Sequence, residues 1–509
     1  MRLVFAAAVA VIALVGPAPA QQAVDPTAAL LQEVIRANSS NPPGATQGVA
    51  DVLVPKFRAL GFEVTIVPTP DSGKVHFIAR LRGDGSKKPI LLAAHADVVG
   101  VEREKWTVDP FAGVIKDGNV YGRGAIDFKG GIAVFARAAM MLAENRIPLA
   151  RDVIFMAEAD EEGQPLNTGW LANEGYWNLM DCEFALNEGG WIMKRADGSV
   201  RYVSISTLDK SAVGITLTAH GTSTHSSMPL PDNAIFRLGR ALAKVGEYDP
   251  PVELTPSTRQ FYETLGRTTS DPALRQAFFD LVSNDPAKVR AADKKISENP
   301  LLHAIMRNTI AAVLVNGGFR SNVIPGSAEA TLNIRTIPGT DVNALVRELE
   351  RVIDDPLVDV RLTSGRGGAA AAGAGGVASG AGGRGAGRGA VGGRGGRGGA
   401  AGVTVGGHPA PPAGPIVESP QNTELYEALV REAKAAYPGA EVTPYLFQAG
   451  TDAGAWRSRG IPVYGIYPYA ISDDELSRMH GNDEHVSIES LKKGTEMIYR
   501  TIMSVAKKQ

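Results

Sequence analysis

Cysteine is nearly absent. Cys182 is the sole one among 509 residues, so no intrachain disulfide can form, and the thiol is expected to be buried rather than catalytic. Beyond the N-terminus no segment is long and apolar enough to cross a bilayer. No G-x-S-x-G stretch occurs, which removes the strained-elbow serine hydrolases. Charge of one sign is also scarce, with a formal net charge of −2. That value includes Arg2 and five arginines in one biased stretch (Arg366, Arg384, Arg388, Arg394, Arg397), so the remainder is more acidic still. An acidic body argues against general nucleic-acid binding.

What is present is otherwise ordinary for a globular chain, with 44% hydrophobic and 21% charged residues. The N-terminus stands apart. Arg2 is followed by LVFAAAVAVIALV, then Gly16-Pro17 and the small residues Ala18-Pro19-Ala20. This reads as a secretory signal peptide over 1–20, and the protein is expected to be exported to a periplasm or medium, with no stable membrane span after signal removal. A membrane anchor fits less well, because the run is short for a bilayer.

Residues 26–60 carry two helical patterns broken at Asn41-Pro42-Pro43-Gly44. Apolar runs follow: VHFIARL, PILLAAH, DVIFMAE and FALNE, with a long helix from about Lys129 to Glu144. Alternating buried strands and helices predict an α/β/α domain, a sheet covered on both faces. The pattern returns near the C-terminus. Between them, VGITLTAHG, a helix from Asn233, AAVLVNG, EATLNIR, a helix from Asp341 and VDVRLTS give a β-α-β-β-α-β order, a nested ferredoxin-like unit. The expected organisation is therefore a first catalytic segment over 21–208 and a lid or dimerisation unit over 209–363, with a helical insertion at about 250–308. A Gly/Ala/Arg-rich insertion follows over 364–407, and the catalytic domain resumes over 408–509. The biased stretch has too little apolar surface to offset its ordering entropy and is expected to be disordered. An RNA-binding role for it is disfavoured, since it holds no aromatic residue for base stacking.

Polar residues cluster just past apolar strands, where open α/β sheets bind ligands. They are His95 in LLAAHAD, Asp127 in YGRGAIDFKGG, Glu161-Glu162 in AEADEEG, Glu188 in ALNEGG and His480 in MHGNDEH. Singly, each has a bland reading as a solvated or hydrogen-bonded residue. Together they pose a problem, because crowded carboxylates repel and take up protons unless a cation neutralises them. Mixed nitrogen and oxygen donors suit zinc, with cobalt or manganese as substitutes. Residues i and i+2 of a strand share a face, so the Asp97 carboxylate is expected to accept the second N–H of His95. Adjacent Glu161 and Glu162 can divide the roles of general base and ligand. His76 is read as a surface strand residue.

These motifs, in this order, resemble the co-catalytic di-zinc exopeptidases: glutamate carboxypeptidase, carboxypeptidase S, aminoacylase, carnosinase, acetylornithine deacetylase and succinyl-diaminopimelate desuccinylase. HADVVGVEREKWTVDPFAGVIKDGNVYGRGAIDFKGG is most like the carboxypeptidase S branch. The resemblance implies two zinc ions bridged by Asp127, one also held by His95 and Glu188, the other by Glu162 and His480, with Glu161 as general base. It implies that GTSTHSSMP supplies His225 to polarise the scissile carbonyl, and that Asn322, Arg335 and Gly450 contact substrate. Arg335 also has a direct rationale, since its planar fork suits a carboxylate. The implied reaction is hydrolysis of a peptide or N-acyl amide beside a free carboxylate, and a homodimer is possible. Phe128 departs from the pattern, standing where many relatives have an acid or asparagine. A non-catalytic binding protein on the same fold, or an amidohydrolase for substrates without a carboxylate, remain the alternatives.

Overall fold

The computed structural model describes residues 24–363 and 410–508. The expected signal peptide at 1–20 and the Gly/Ala/Arg-rich insertion at 364–407 lie outside the described residues.

A ten-stranded mixed sheet forms the larger unit. At its centre Ile90–His95 runs parallel to Val153–Glu158 on one side and to Phe184–Asn187 on the other. Phe184–Asn187 in turn pairs in parallel with Val463–Gly465. Every residue of Ile90–His95 and Val153–Glu158 is buried. That is why these strands read as unbroken apolar runs rather than alternating ones. Successive side chains still go to opposite faces. Leu92 and Ala94 join the core under helices Pro26–Arg36, Lys129–Glu144, Glu424–Ala436 and Ile488–Ala506, whereas Leu91 and Ala93 join a smaller core with Trp177 and Trp456. Local rules set the helix ends. Asp25 accepts the N–H groups of Thr27 and Ala28 ahead of Pro26, and the Asn41–Gly44 break separates this helix from Gln47–Ala59.

The smaller unit is an antiparallel four-stranded sheet with spatial order Thr309–Gly317, Ser327–Thr336, Ser211–His220, Val358–Leu362. Helices Ala234–Glu247 and Val342–Ile353, capped by Asn233 and Asp341, cover one face. Ser327–Thr336 alternates accordingly: Ala328, Ala330, Leu332 and Ile334 are buried beneath the helices. This is the ferredoxin-like arrangement. Its edge strand leaves residues 311–317 exposed.

The helical insertion contains Pro256–Thr268, Pro272–Leu281, Pro286–Ile296 and Pro300–Ile305, each with proline in its first turn behind a Thr, Asp or Asn cap. Although it interrupts the lid segment in sequence, it packs on the larger sheet. Phe261 meets Tyr202 of strand Val200–Asp209 at 5.5 Å and Tyr445 of strand Glu441–Phe447 at 4.9 Å. Lys210, where the chain passes between the two units, donates to Ala304 O and Arg307 O of that insertion and to Thr309 Oγ1 at the start of the edge strand.

Candidate metal centre

Three neighbouring parallel strands end on the same edge of the sheet, and their polar residues meet there. His95 closes its strand, Glu161 and Glu162 follow Val153–Glu158, and Glu188 follows Phe184–Asn187. Asp127 arrives from the turn before helix Lys129–Glu144, and His480 from the loop ahead of strand His485–Ser487. The two Asp127 oxygens face different partners. Oδ1 lies 3.0 Å from His95 Nε2, and Oδ2 lies 3.0 Å from His480 Nε2. His95 Nε2 is 3.5 Å from Glu188, and His480 Nε2 is 3.0 Å from Glu162. Donor atoms of His95, Glu161 and Glu188 fall within 4.8 Å of one another, as do those of His95, Asp127 and Glu162.

By themselves these groups can neutralise one another only by holding protons. Burial raises the Glu161 pKa well above the carboxylate range, and Glu188 raises it further. Burial likewise pushes Glu188 up to about 8, against the pull of His95. At His95 burial disfavours charge, but Glu188 and Asp127 outweigh it and hold the imidazole well above its usual pKa. At His480 burial again opposes, and Asp127 and Glu162 raise the pKa to about 10. Crowded carboxyl groups that retain protons beside two imidazolium rings are the donor set that a pair of divalent cations would fit, the protons of the ligating groups giving way to metal bonds.

The surroundings correct two expectations. His95 Nδ1 donates to the backbone carbonyl of Asp97 at 2.9 Å, while the Asp97 carboxylate is 3.8 Å away. That carboxylate instead accepts the N–H groups of Glu161 and Glu162, both at 3.1 Å, and Asn41 Nδ2 at 2.8 Å. The tautomer of His95 is thus fixed by main chain, and Asp97 holds the Glu161-Glu162 turn. His76 is fully buried, not on the surface. Its Nε2 donates to Leu166 O at 3.0 Å, its Nδ1 accepts Ala159 N–H at 3.2 Å, and its ring stacks on Trp170. It ties together both ends of the loop bearing Glu161 and Glu162. Asp160 completes that tie, accepting from Lys74, Asn41 and the N–H of Leu166.

Tyr467, which no sequence pattern singled out, lies 2.9 Å from Glu188 and 3.1 Å from Asp127 through its hydroxyl. Phe128 packs edge-on against it at 5.0 Å and is completely buried. A Cβ on Gly131 would come within 2.2 Å of the Phe128 ring, so glycine is required there. The residue that departs from the pattern therefore serves as floor beneath the cluster.

A cavity of about 660 Å³ opens over the cluster, lined by Asp127, Glu161, Glu162, Glu188 and His480 together with Arg335 and Gly450. Arg335 has no carboxylate partner within ion-pair distance among the described residues; the charges acting on it are the Glu161 carboxylate and the neighbouring Lys210 ammonium. Burial lowers the guanidinium pKa, and Glu161 opposes that. A Cβ at Gly450 would stand 3.6 Å from Arg335 Nη1. His225 and Asn322 lie elsewhere. Both are exposed on the smaller unit, where His225 pairs with Val323, its Nδ1 lies 2.8 Å from Ser227 Oγ, and Asn322 O accepts Ser226 N–H. Neither lines the cavity.

A family model described as Peptidase family M20/M25/M40 matches residues 91–504. A probable carboxypeptidase S-like 2 of Dictyostelium discoideum is 28% identical over 431 residues, covering 83% of this chain and 73% of the relative. The N-fatty-acyl-amino acid synthase/hydrolase PM20D1 of Homo sapiens is 24% identical over 443 residues, covering 84% and 76%. Among solved structures, the M20 family metallo-carboxypeptidase Sso-CP2 from Sulfolobus solfataricus aligns with TM-score 0.64 at 17% identity, covering 94% of this chain and 100% of that one.

Proposed function

The chain belongs to peptidase family M20/M25/M40 and is an enzyme of the metallopeptidase type, and from that premise we propose that it hydrolyses an amide bond next to a free carboxylate in small peptides or N-acyl amino acids. The observation that carries this reading is Arg335, a half-buried guanidinium that has no carboxylate partner among the described residues and lines the same cavity as Glu161. A cation left unpaired at that depth is poised for an anionic group brought by the substrate, and its fork suits a carboxylate.

His95, Asp127 and Glu188 would hold one zinc ion, and Asp127, Glu162 and His480 the other, with cobalt or manganese able to substitute. Such a pair supplies Lewis acidity, which acidifies water and polarises the scissile carbonyl. Glu161 takes the proton of the attacking water and returns it to the leaving amine. Half-buried in the cavity wall, it is placed for both transfers. Asp97 keeps Glu161 and Glu162 in register through their N–H groups. Arg335 grips the carboxylate, with Gly450 beside it in the cavity wall.

His225 and Asn322 would act at this site only after movement of the smaller unit, or from a second copy of the chain. A homodimer is supported by the exposed edge strand, where Val313, Leu314 and Val315 accompany Phe319, and by exposed Ile235 and Phe236 on the adjacent helix. Contiguous apolar exposure beside an unpaired strand edge favours association. Export remains the reading of residues 1–20; no helix among the described residues is long and apolar enough to cross a membrane.

A cleavage panel tests the proposal: dipeptides, N-acyl amino acids and their C-terminally amidated counterparts, each with added zinc and with chelator. Free acids should be cleaved at least about tenfold faster than amides, in line with loss of a charge-assisted contact, and chelator should abolish turnover. Equal cleavage of amidated substrates would overturn the carboxylate requirement. Undiminished activity in chelator would overturn the metal assignment.

A further inference from the structure

His480 stands out in the cluster because its side chain is 45% exposed. A ring that exposed takes its direction from its backbone more than from packing, and its backbone sits at φ +60°. That backbone is held from below. Arg123 Nη2 donates to His480 O at 3.1 Å and to Gly481 O at 2.8 Å. The other guanidinium nitrogen, Nη1, pairs with Glu484 Oε2 at 2.5 Å. Glu484 then accepts the N–H of Ile126 at 2.7 Å and of Asp127 at 3.0 Å through Oε1, and that of Gly124 at 3.2 Å through Oε2. Arg123 and Glu484 are 2% and 0% exposed, and the guanidinium lies over the Trp106 ring. Thus one buried ion pair, formed by residues 361 apart in the chain, grips the main chain on both sides of the gap between Asp127 and His480.

We propose that Arg123 and Glu484 are positioning residues for the metal centre: by fixing the Asp127 turn against the His480 turn, they set the affinity for the cation held by Asp127, Glu162 and His480. The inference rests on the reading of those residues as metal ligands. It differs from a purely stabilising ion pair in what it protects. The comparison is within the same molecule: Arg151 is also fully buried, pairs with Glu183 and Glu424, and lies over the Phe184 ring. None of these partners belongs to a loop of the metal cluster.

The experiment compares wild type, Arg123→Lys and Arg151→Lys as full chains. Each is titrated with zinc against a competing chelator, and the thermal midpoint of the metal-free protein is recorded. Lysine keeps the charge and the Glu484 contact but cannot reach both carbonyls. Arg123→Lys should retain one zinc at wild-type affinity and bind the other roughly 10–100-fold more weakly, the usual effect of removing an outer partner of a metal ligand. Arg151→Lys should lower the midpoint and leave both affinities at wild type. Should Arg123→Lys not fold, Glu484→Gln serves instead: it keeps an oxygen for the Ile126 and Asp127 N–H groups, removes the charge that holds Arg123, and should show the same one-site weakening. Two zinc ions bound by these variants as tightly as by wild type would overturn this inference alone, as would equal weakening of both sites. A wild-type chain that binds no zinc would overturn the metal reading and this inference with it.

Discussion

Acid should loosen the protein through His76, a residue shielded from solvent that braces the loop of Glu161 and Glu162 through main-chain groups. Burial lowers its pKa from 6.5 to about 4; the Leu166 carbonyl and Asp160 oppose that shift, and Asp160 is itself paired with Lys74. The neutral ring uses Nδ1 as acceptor for Ala159 N–H, and a proton there would cancel that bond. The unfolded chain takes up the proton first, so the stability contribution is complete above pH 6.5 and is lost as pH falls toward 4. At about 1.4 kcal/mol per tenfold, the loss is about 2 kcal/mol between pH 7 and pH 5 and approaches 3 kcal/mol near pH 4. Other buried groups titrate in the same range, so the comparison must be with a variant. His76→Gln retains one donor and one acceptor and does not titrate. Urea unfolding of wild type and His76→Gln at pH 7 and pH 5 isolates the term. Wild type should lose about 2 kcal/mol more than the variant over that interval. Equal losses would refute the claim that His76 is held neutral as a tie across the Glu161-Glu162 loop.

Glu161→Gln should keep both metals and the fold and lose about 10²–10⁴-fold in kcat, measured beside metal content; loss of a metal here, with retention in Glu162→Gln, would exchange the two roles. Asp127→Ala should release most of the bound metal, since its two oxygens face His95 and His480 separately; two metals per chain in that variant would sink the bridging assignment. Mixing inactive Glu161→Gln and His225→Ala proteins under conditions of subunit exchange should restore activity if His225 serves a partner's cavity. No recovery from proven mixed dimers would confine His225 to its own chain or remove it from catalysis.

Much of the fold is legible in the sequence because its determinants are local. Near-continuous apolar runs mark strands covered on both faces, and Asn233 and Asp341 mark helix starts at the positions they cap. The strand VHFIARL held more information than its first reading extracted. A run that apolar belongs to a sheet covered on both faces, and a polar residue inside it must then be buried with partners. His76 satisfies that requirement through Leu166 O and Ala159 N–H, contacts supplied by a loop more than 80 residues away. The helical insertion gives the opposite lesson. Its caps announce each helix, but nothing in its periodicity says that Phe261 will meet Tyr202 and Tyr445 rather than the unit whose sequence it interrupts.

The candidate site divides along the same line. Residues at the ends of adjacent parallel strands converge because the sheet brings those ends together, so His95, Glu161, Glu162 and Glu188 could be picked out from where each run stops. Hydrogen bonds that orient them obey no such rule. Asp97 stands two residues beyond His95, yet its carboxylate serves the Glu161-Glu162 turn, because the main-chain carbonyl is nearer to the imidazole. Tyr467, Arg123 and Glu484 carry no periodic signal, since each is defined by groups hundreds of residues distant. The consequence is chemical. Strand geometry delivers the ligands to one place, but affinity depends on donor positions far finer than a strand end specifies, and that adjustment falls to buried, non-local polar contacts. Variation at Arg123, Glu484 or Tyr467 should therefore tune metal binding in a chain whose ligand set is intact.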